Sequence, residues 1–96
     1  MNVISTEKGL YEYSGVLRRV CYEFSIHDAL RLGDYYVICS PQEGVIYGRE
    51  KVIDRECWRL VRIDDGVYAS LAGPVIYDVV RRRVVLDLTS MARERG

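Results

Sequence analysis

Short runs of β-branched and aromatic residues, each cut off by a turn signal, constrain this chain more than any other feature. From residue 35 onward they follow one another closely: "YYVICS", "VIYG", "CWRLVRI", "VYASL", "VIYDVV" and "VVLDL". Between them lie "PQEG", "DDG", "AGP" and "RRR". Side chains branched at Cβ or carrying rings suit a pleated, half-buried surface. Turn signals spaced about eight to twelve residues apart predict antiparallel strands in a small barrel or sandwich. With 96 residues the chain has material for one domain and one modest core.

The first half is less regular. Val3 to Ser5 reads as a short strand ending at "TEKG". From Leu10 to Phe24, Val16, Val20, Tyr22 and Phe24 share one parity, and Arg19, Cys21 and Glu23 the other. That alternation predicts a half-buried strand with a bulge or bend at Gly15. "SIHDALRLGD" reads differently. Ser25 and Asp28 approximate a capping box, Ile26, Ala29, Leu30 and Leu32 fall roughly on one helical face, and Gly33 suits a helix C-terminus. The expected fold class is therefore mainly β or α+β, with one short helix over residues 26–32. "REKVIDRE" fits neither pattern, and "TSMARERG" reads as a helical turn or a frayed tail.

Charge excludes some functions. Fourteen basic and fourteen acidic residues cancel, so no global field draws the chain to nucleic acid or to an anionic membrane. No apolar run approaches the roughly 20 residues a membrane-spanning helix needs, and the N-terminus lacks the basic start and apolar core of a secretory signal. A cytoplasmic, reduced compartment is the expectation. The three cysteines, Cys21, Cys39 and Cys57, are evenly spaced, but the segments between them share no evident pattern and contain no C-x-x-C.

Catalytic and metal chemistry find little to work with. His27 is the only histidine, and a metal site from it and the cysteines would need distant strands to converge without any paired knuckle. A Cys21–His27 nucleophile pair has no support beyond sequence proximity. The acidic residues of "IDRE" and "IDDG" read as turn formers, and no glycine-rich phosphate loop occurs. The expectation is a protein without enzymatic activity, metal or cofactor.

Arginine is the residue type with the strongest functional signal. Lys8 and Lys51 are the only lysines, whereas Arg81, Arg82 and Arg83 occupy a predicted hairpin turn and Arg18 and Arg19 an early strand. Guanidinium groups suit bidentate contacts to phosphate or carboxylate. Tyr68 and Tyr77, with Tyr35, Tyr36 and Tyr47, offer rings on which bases stack in small barrels that bind single strands. The same residues equally suit a sheet surface with a charged, soluble turn.

The stretch "DGVYASLAGPV", Asp65 to Val75, followed by a turn and "RRVVLDL", resembles the N-terminal domain of archaeal and eukaryotic exosome cap subunits. Gly66, Tyr68, Ala69, Ser70, Ala72 and Gly73 stand at matching places. The resemblance covers about a quarter of the chain and carries structural residues only. It lies in the second half rather than at the start, and no RNA-binding barrel or zinc ribbon follows it. It implies a small β-unit attached to a ribonucleoprotein and transfers no binding residue.

Together these readings predict a small binding module that docks on a protein or ribonucleoprotein complex, touching RNA or DNA through the arginine turn. An accessory protein of a virus or mobile element, inhibiting a host complex by protein contact, is the alternative. A homodimer formed through a strand edge is a further expectation.

Overall fold

Extended runs satisfy their backbone groups by pairing with other strands, and in this chain each run pairs with the run next to it in sequence. The computed structural model describes residues 2–20 and 24–88. The first sheet holds β1 (Asn2–Thr6), β2 (Gly9–Tyr13) and β3 (Leu17–Arg19). A central sheet holds β4 (Asp28–Leu32), β5 (Tyr35–Ser40), β6 (Gly44–Tyr47) and β7 (Glu50–Ile53). The third holds β8 (Cys57–Ile63), β9 (Gly66–Leu71), β10 (Val75–Asp78) and β11 (Arg83–Asp87). All pairings are antiparallel between consecutive strands, so each sheet is a meander. The protein is all-β, with no helix among the described residues.

Two expectations are corrected. Residues 26–32 form no helix: Asp28 to Leu32 are β4, paired with β5 from Asp28↔Cys39 to Leu32↔Tyr35. The Asp28 carboxylate, read as part of a helix cap, accepts hydrogen bonds from its neighbour Ala29 N (2.9 Å) and from Leu60 N on β8 (2.9 Å). Gly33, with φ +62°, turns a hairpin rather than ending a helix. The long strand over 10–24 is also interrupted, because Gly15 closes a turn and β3 folds back on β2 through Tyr11↔Arg19 and Tyr13↔Leu17. Cys21 and the C-terminal "TSMARERG" lie outside the described residues. "REKVIDRE" contributes β7, which carries a register shift against β6.

The central sheet is apolar on both faces. Val37, Cys39 and Val45 point to the third sheet and pack with Leu60, Val67, Ala69, Leu71, Val75, Tyr77 and Val79. Ile38 points the other way, to Leu10 of the first sheet and to Ile26, flanked by Val3, Phe24, Tyr36 and Ile46. Successive strand residues alternate faces, so one strand, β5, feeds two cores. In contrast to the reduced state expected of the cysteines, a disulfide between Cys39 on β5 and Cys57 on β8, with Cα atoms 5.2 Å apart, ties the central sheet to the third. This layered arrangement stretches the molecule to 50 × 27 × 20 Å.

The three sheets repeat one hairpin. β5 and β6 meet at Ser40↔Gly44, β1 and β2 at Thr6↔Gly9, and β9 and β10 at Val75↔Leu71. Aligned on those ends, Val3-Ile4-Ser5-Thr6 matches Val37-Ile38-Cys39-Ser40, and Gly9-Leu10-Tyr11 matches Gly44-Val45-Ile46. The turns share chemistry as well. The Thr6 hydroxyl accepts a bond from Lys8 N (3.1 Å), as the Ser40 hydroxyl does from Gln42 N (3.2 Å). In the third unit Leu71 takes that place. Gly48 N donates to Tyr36 O and Val79 N to Val67 O, both at 2.9 Å, in equivalent positions of the second and third units. The chain is an array of three hairpin units packed face on face.

Candidate functional site

Strand pairing carries residues far apart in sequence onto one open groove of about 1020 Å³. Asp34, Tyr35 and Tyr36 reach it from the start of β5, and Tyr47, Gly48, Arg49 and Glu50 from the β6–β7 corner. Val20, the residue after Arg19, lines it from beyond β3, and Arg82 reaches it from the β10–β11 turn. All three layers of the array therefore contribute to one surface.

The groove's aromatic wall is ordered by ring contacts. Tyr35 and Tyr47 meet edge-to-face, centroids 6.1 Å apart at 73°, the geometry that ring quadrupoles favour. The Arg31 guanidinium lies 6.0 Å from the Tyr36 ring centroid, within cation–π range. Gly48 leaves room for Tyr35: a Cβ at that position would stand 3.0 Å from Tyr35 Cδ1.

The arginine turn forms as expected, but two of its three guanidinium groups are engaged by carboxylates. Arg82 adopts a left-handed φ of +56° and grips Glu50 through both oxygens, at 2.8 and 2.7 Å. Bidentate pairing of this kind fixes orientation as well as charge. The Arg82 hydrogen bonds, and then its charge, hold the Glu50 carboxyl below the usual carboxylate range, while Glu50 raises Arg82 in return. Arg81 closes the turn onto Asp78, whose buried carboxylate accepts Arg81 N at 2.9 Å and Arg81 Nη1 at 3.2 Å. The backbone bond from Arg81 is the main cause that lowers the Asp78 pKa, against the cost of its burial. Arg83 is exposed at the start of β11.

The remaining candidate residues are dispersed. Arg18 is largely exposed but pairs with the buried Glu12 carboxylate across the β2–β3 ladder. Arg19 is exposed on the opposite face of β3, beside Tyr11. Tyr77 is in the core between the central and third sheets, so its ring is not a stacking surface. Tyr68 is half-buried on the outer face of the third sheet, beside Val61. Sequence reasoning missed Asp34, Arg49 and Glu50. No local pattern marks them, because only the β5–β6–β7 meander brings them together.

His27 packs against Trp58. Its ring stacks on Trp58 with centroids 5.1 Å apart, and Nδ1 lies 3.1 Å from Cys57 O. Its backbone N–H bonds Cys39 O at 2.9 Å, so His27 braces both ends of the disulfide. Comparisons with family models, with curated proteins and with solved structures find no match.

Proposed function

We propose that this chain is a non-enzymatic binding module that docks on a protein, alone or within a ribonucleoprotein complex, through the tyrosine groove and the adjoining arginine turn. The observation that carries this reading is the convergence of Tyr35, Tyr36 and Tyr47 with a preorganised Arg82–Glu50 pair on one groove. Tyrosine and arginine are enriched among the side chains that anchor protein interfaces; tyrosine buries a large area at small entropic cost, and the planar guanidinium makes bidentate contacts. The charges lining the groove balance: Arg49 and Arg82 face Asp34 and Glu50. A polypeptide carrying both signs complements such a surface better than a polyanion does. The resemblance of residues 65–88 to exosome cap subunits supports a ribonucleoprotein as the setting, with the exposed Arg83, next to Arg82, and Arg19, next to Val20, as cations adjoining the groove in sequence.

Affinity purification on tagged wild-type protein, run beside Tyr47→Ala and Arg82→Glu, tests the docking. A specific partner retained by the wild type and lost by both variants is the expected result. Partners that bind all three proteins equally remove the groove from the reading. Anisotropy of labelled single-stranded RNA, titrated between about 50 and 200 mM salt, separates the two settings, because phosphate contacts release counterions and weaken steeply with salt. A steep salt dependence that Arg83→Ala reduces would place RNA in the contact, and a flat, weak response leaves protein docking.

A further inference from the structure

Each end of the hairpin array exposes a cluster of apolar side chains, and each matches a face that is covered elsewhere in the same molecule. Aligned on the hairpin ends, Tyr68, Ser70 and Ile76 on the outer face of the third sheet correspond to Val37, Cys39 and Val45 of the central sheet. Those central residues are buried under the next unit. Around Ile76 the outer face of the third sheet also presents Val61, Ile63 and Leu86, which are 39–55% exposed as a group with Ile76 at 39% and Ile63 at 55%. At the other end, Ile4 and Tyr11 on the outer face of the first sheet correspond to Ile38 and Ile46, which lie against the preceding unit. Tyr13 and Leu17 extend that face, at 47% and 59% exposure beside Ile4 at 45%.

We propose that the array continues between molecules: the outer face of the third sheet is a docking surface for the first sheet of a second copy of this chain. The occupant follows from continuity with the internal interfaces. Each unit covers its predecessor with the face that Ile38 and Ile46 represent, and the uncovered copy of that face, at Ile4 and Tyr11, exists in the same chain. Repeat arrays that remain single end in units with polar outer faces; here each outer face is mostly apolar and carries an arginine, Arg19 beside Tyr11 and Arg59 beside Ser70. A face pairing with a different face is a heterologous contact, so association adds copies head to tail instead of closing a two-fold dimer. The edge of β11 is a poorer route to self-association, because its ladder with β10 is broken by a bulge between Ile76 and Tyr77, a device that blunts sheet edges.

Light scattering on the full chain, with Ile4→Glu and Ile76→Glu as probes, decides the matter. Both side chains are half in water, so a carboxylate at either position stays solvated in the monomer. Wild-type weight-average mass should rise with concentration above the 11.1 kDa of one chain, while each variant alone stays at the monomer mass. An equimolar mixture of the two variants retains one intact face on each molecule, so it should form a species of two chains and grow no further. That mixed species also shows that both variants are folded. A wild type that stays monomeric at every concentration, self-association that survives Ile4→Glu, or a mixture that stays monomeric overturns the proposal. Tyr47→Ala, which alters the groove, should leave the mass unchanged.

Discussion

Asp78 shows how one residue sets the geometry of the arginine turn. Its carboxylate is buried, yet both of its oxygens have partners in Arg81, one through the backbone and one through the guanidinium. Removing a buried, charged acceptor that holds a turn costs more than removing a neutral one, so Asp78→Ala should destabilise the fold by about 1.5–3 kcal/mol in urea titration. The depressed pKa gives a pH signature with a fixed sign. A carboxyl that ionises more readily folded than unfolded contributes stability at pH values above its unfolded pKa, near 4, and loses it as pH falls through the lower folded value. Acid should therefore weaken the wild type below about pH 4, and Asp78→Asn should flatten that part of the stability curve. Glu50 has the same sign, but it lies in water, and exposed pairs contribute little. Glu50→Gln should leave the melting temperature almost unchanged while freeing Arg82, so any loss of partner binding reports the groove and not the fold.

The strands of the second half were legible because their alternation and their turns agree, from "CWRLVRI" through "VVLDL" to the turn at Arg82. β4 was not, since "DALRL" lacks alternation and Asp28 carries a signal that serves two purposes. A carboxylate ahead of an apolar run caps a helix, and it equally accepts Leu60 N from another sheet, a partner that local pattern cannot reveal. The repeat was also hidden, because its units are offset by unequal spacings and match in hairpin position rather than in residue type. The arginine half of the site was legible as a charged turn; the groove was not, because Tyr35, Glu50 and Arg82 meet only through pairing and layering. At this scale Gly44 offers a sharp test of the close packing at the β5–β6 turn. A Cβ there would stand 2.1 Å from Ile53 O and 2.8 Å from Arg55 N, at φ +79°. Gly33 has a similar φ of +62° but open space around it. Both Gly→Ala changes carry the left-handed backbone cost of roughly 1–2 kcal/mol, and only Gly44→Ala adds a collision with backbone. Chemical denaturation should therefore place Gly44→Ala well below Gly33→Ala, and equal losses would mean that the β7 end yields without cost.

A molecule of three thin layers has a small core for each interface, and this makes the Cys39–Cys57 bond disproportionately important. Both cysteines are fully buried, and the bond joins the strand that feeds both cores to the first strand of the third sheet. The cross-link spans 18 residues, and closing a loop of that size in the unfolded chain is worth about 3 kcal/mol in the chain-entropy model. Domains of this size have a total stability of roughly 5–15 kcal/mol, so the bond supplies a large share. Paired scans of the oxidised protein and of a Cys39→Ala/Cys57→Ala variant should differ by roughly 10–20 °C in melting temperature. Trp58, the only tryptophan and next in sequence to Cys57, reports the transition by fluorescence where its ring stacks on His27. Because the sulfurs are buried, a soluble dithiol should reduce the folded protein slowly, and faster as denaturant raises the open population. The groove draws on both sides of this junction, Tyr35 and Glu50 from the central sheet and Arg82 from the third. A loss of stability on cysteine removal should therefore be accompanied by weaker partner binding at temperatures where the fold persists. If the melting temperature fell and binding held, the apolar contacts of Val37, Val45 and Val75 would alone be sufficient to keep the two sheets in register.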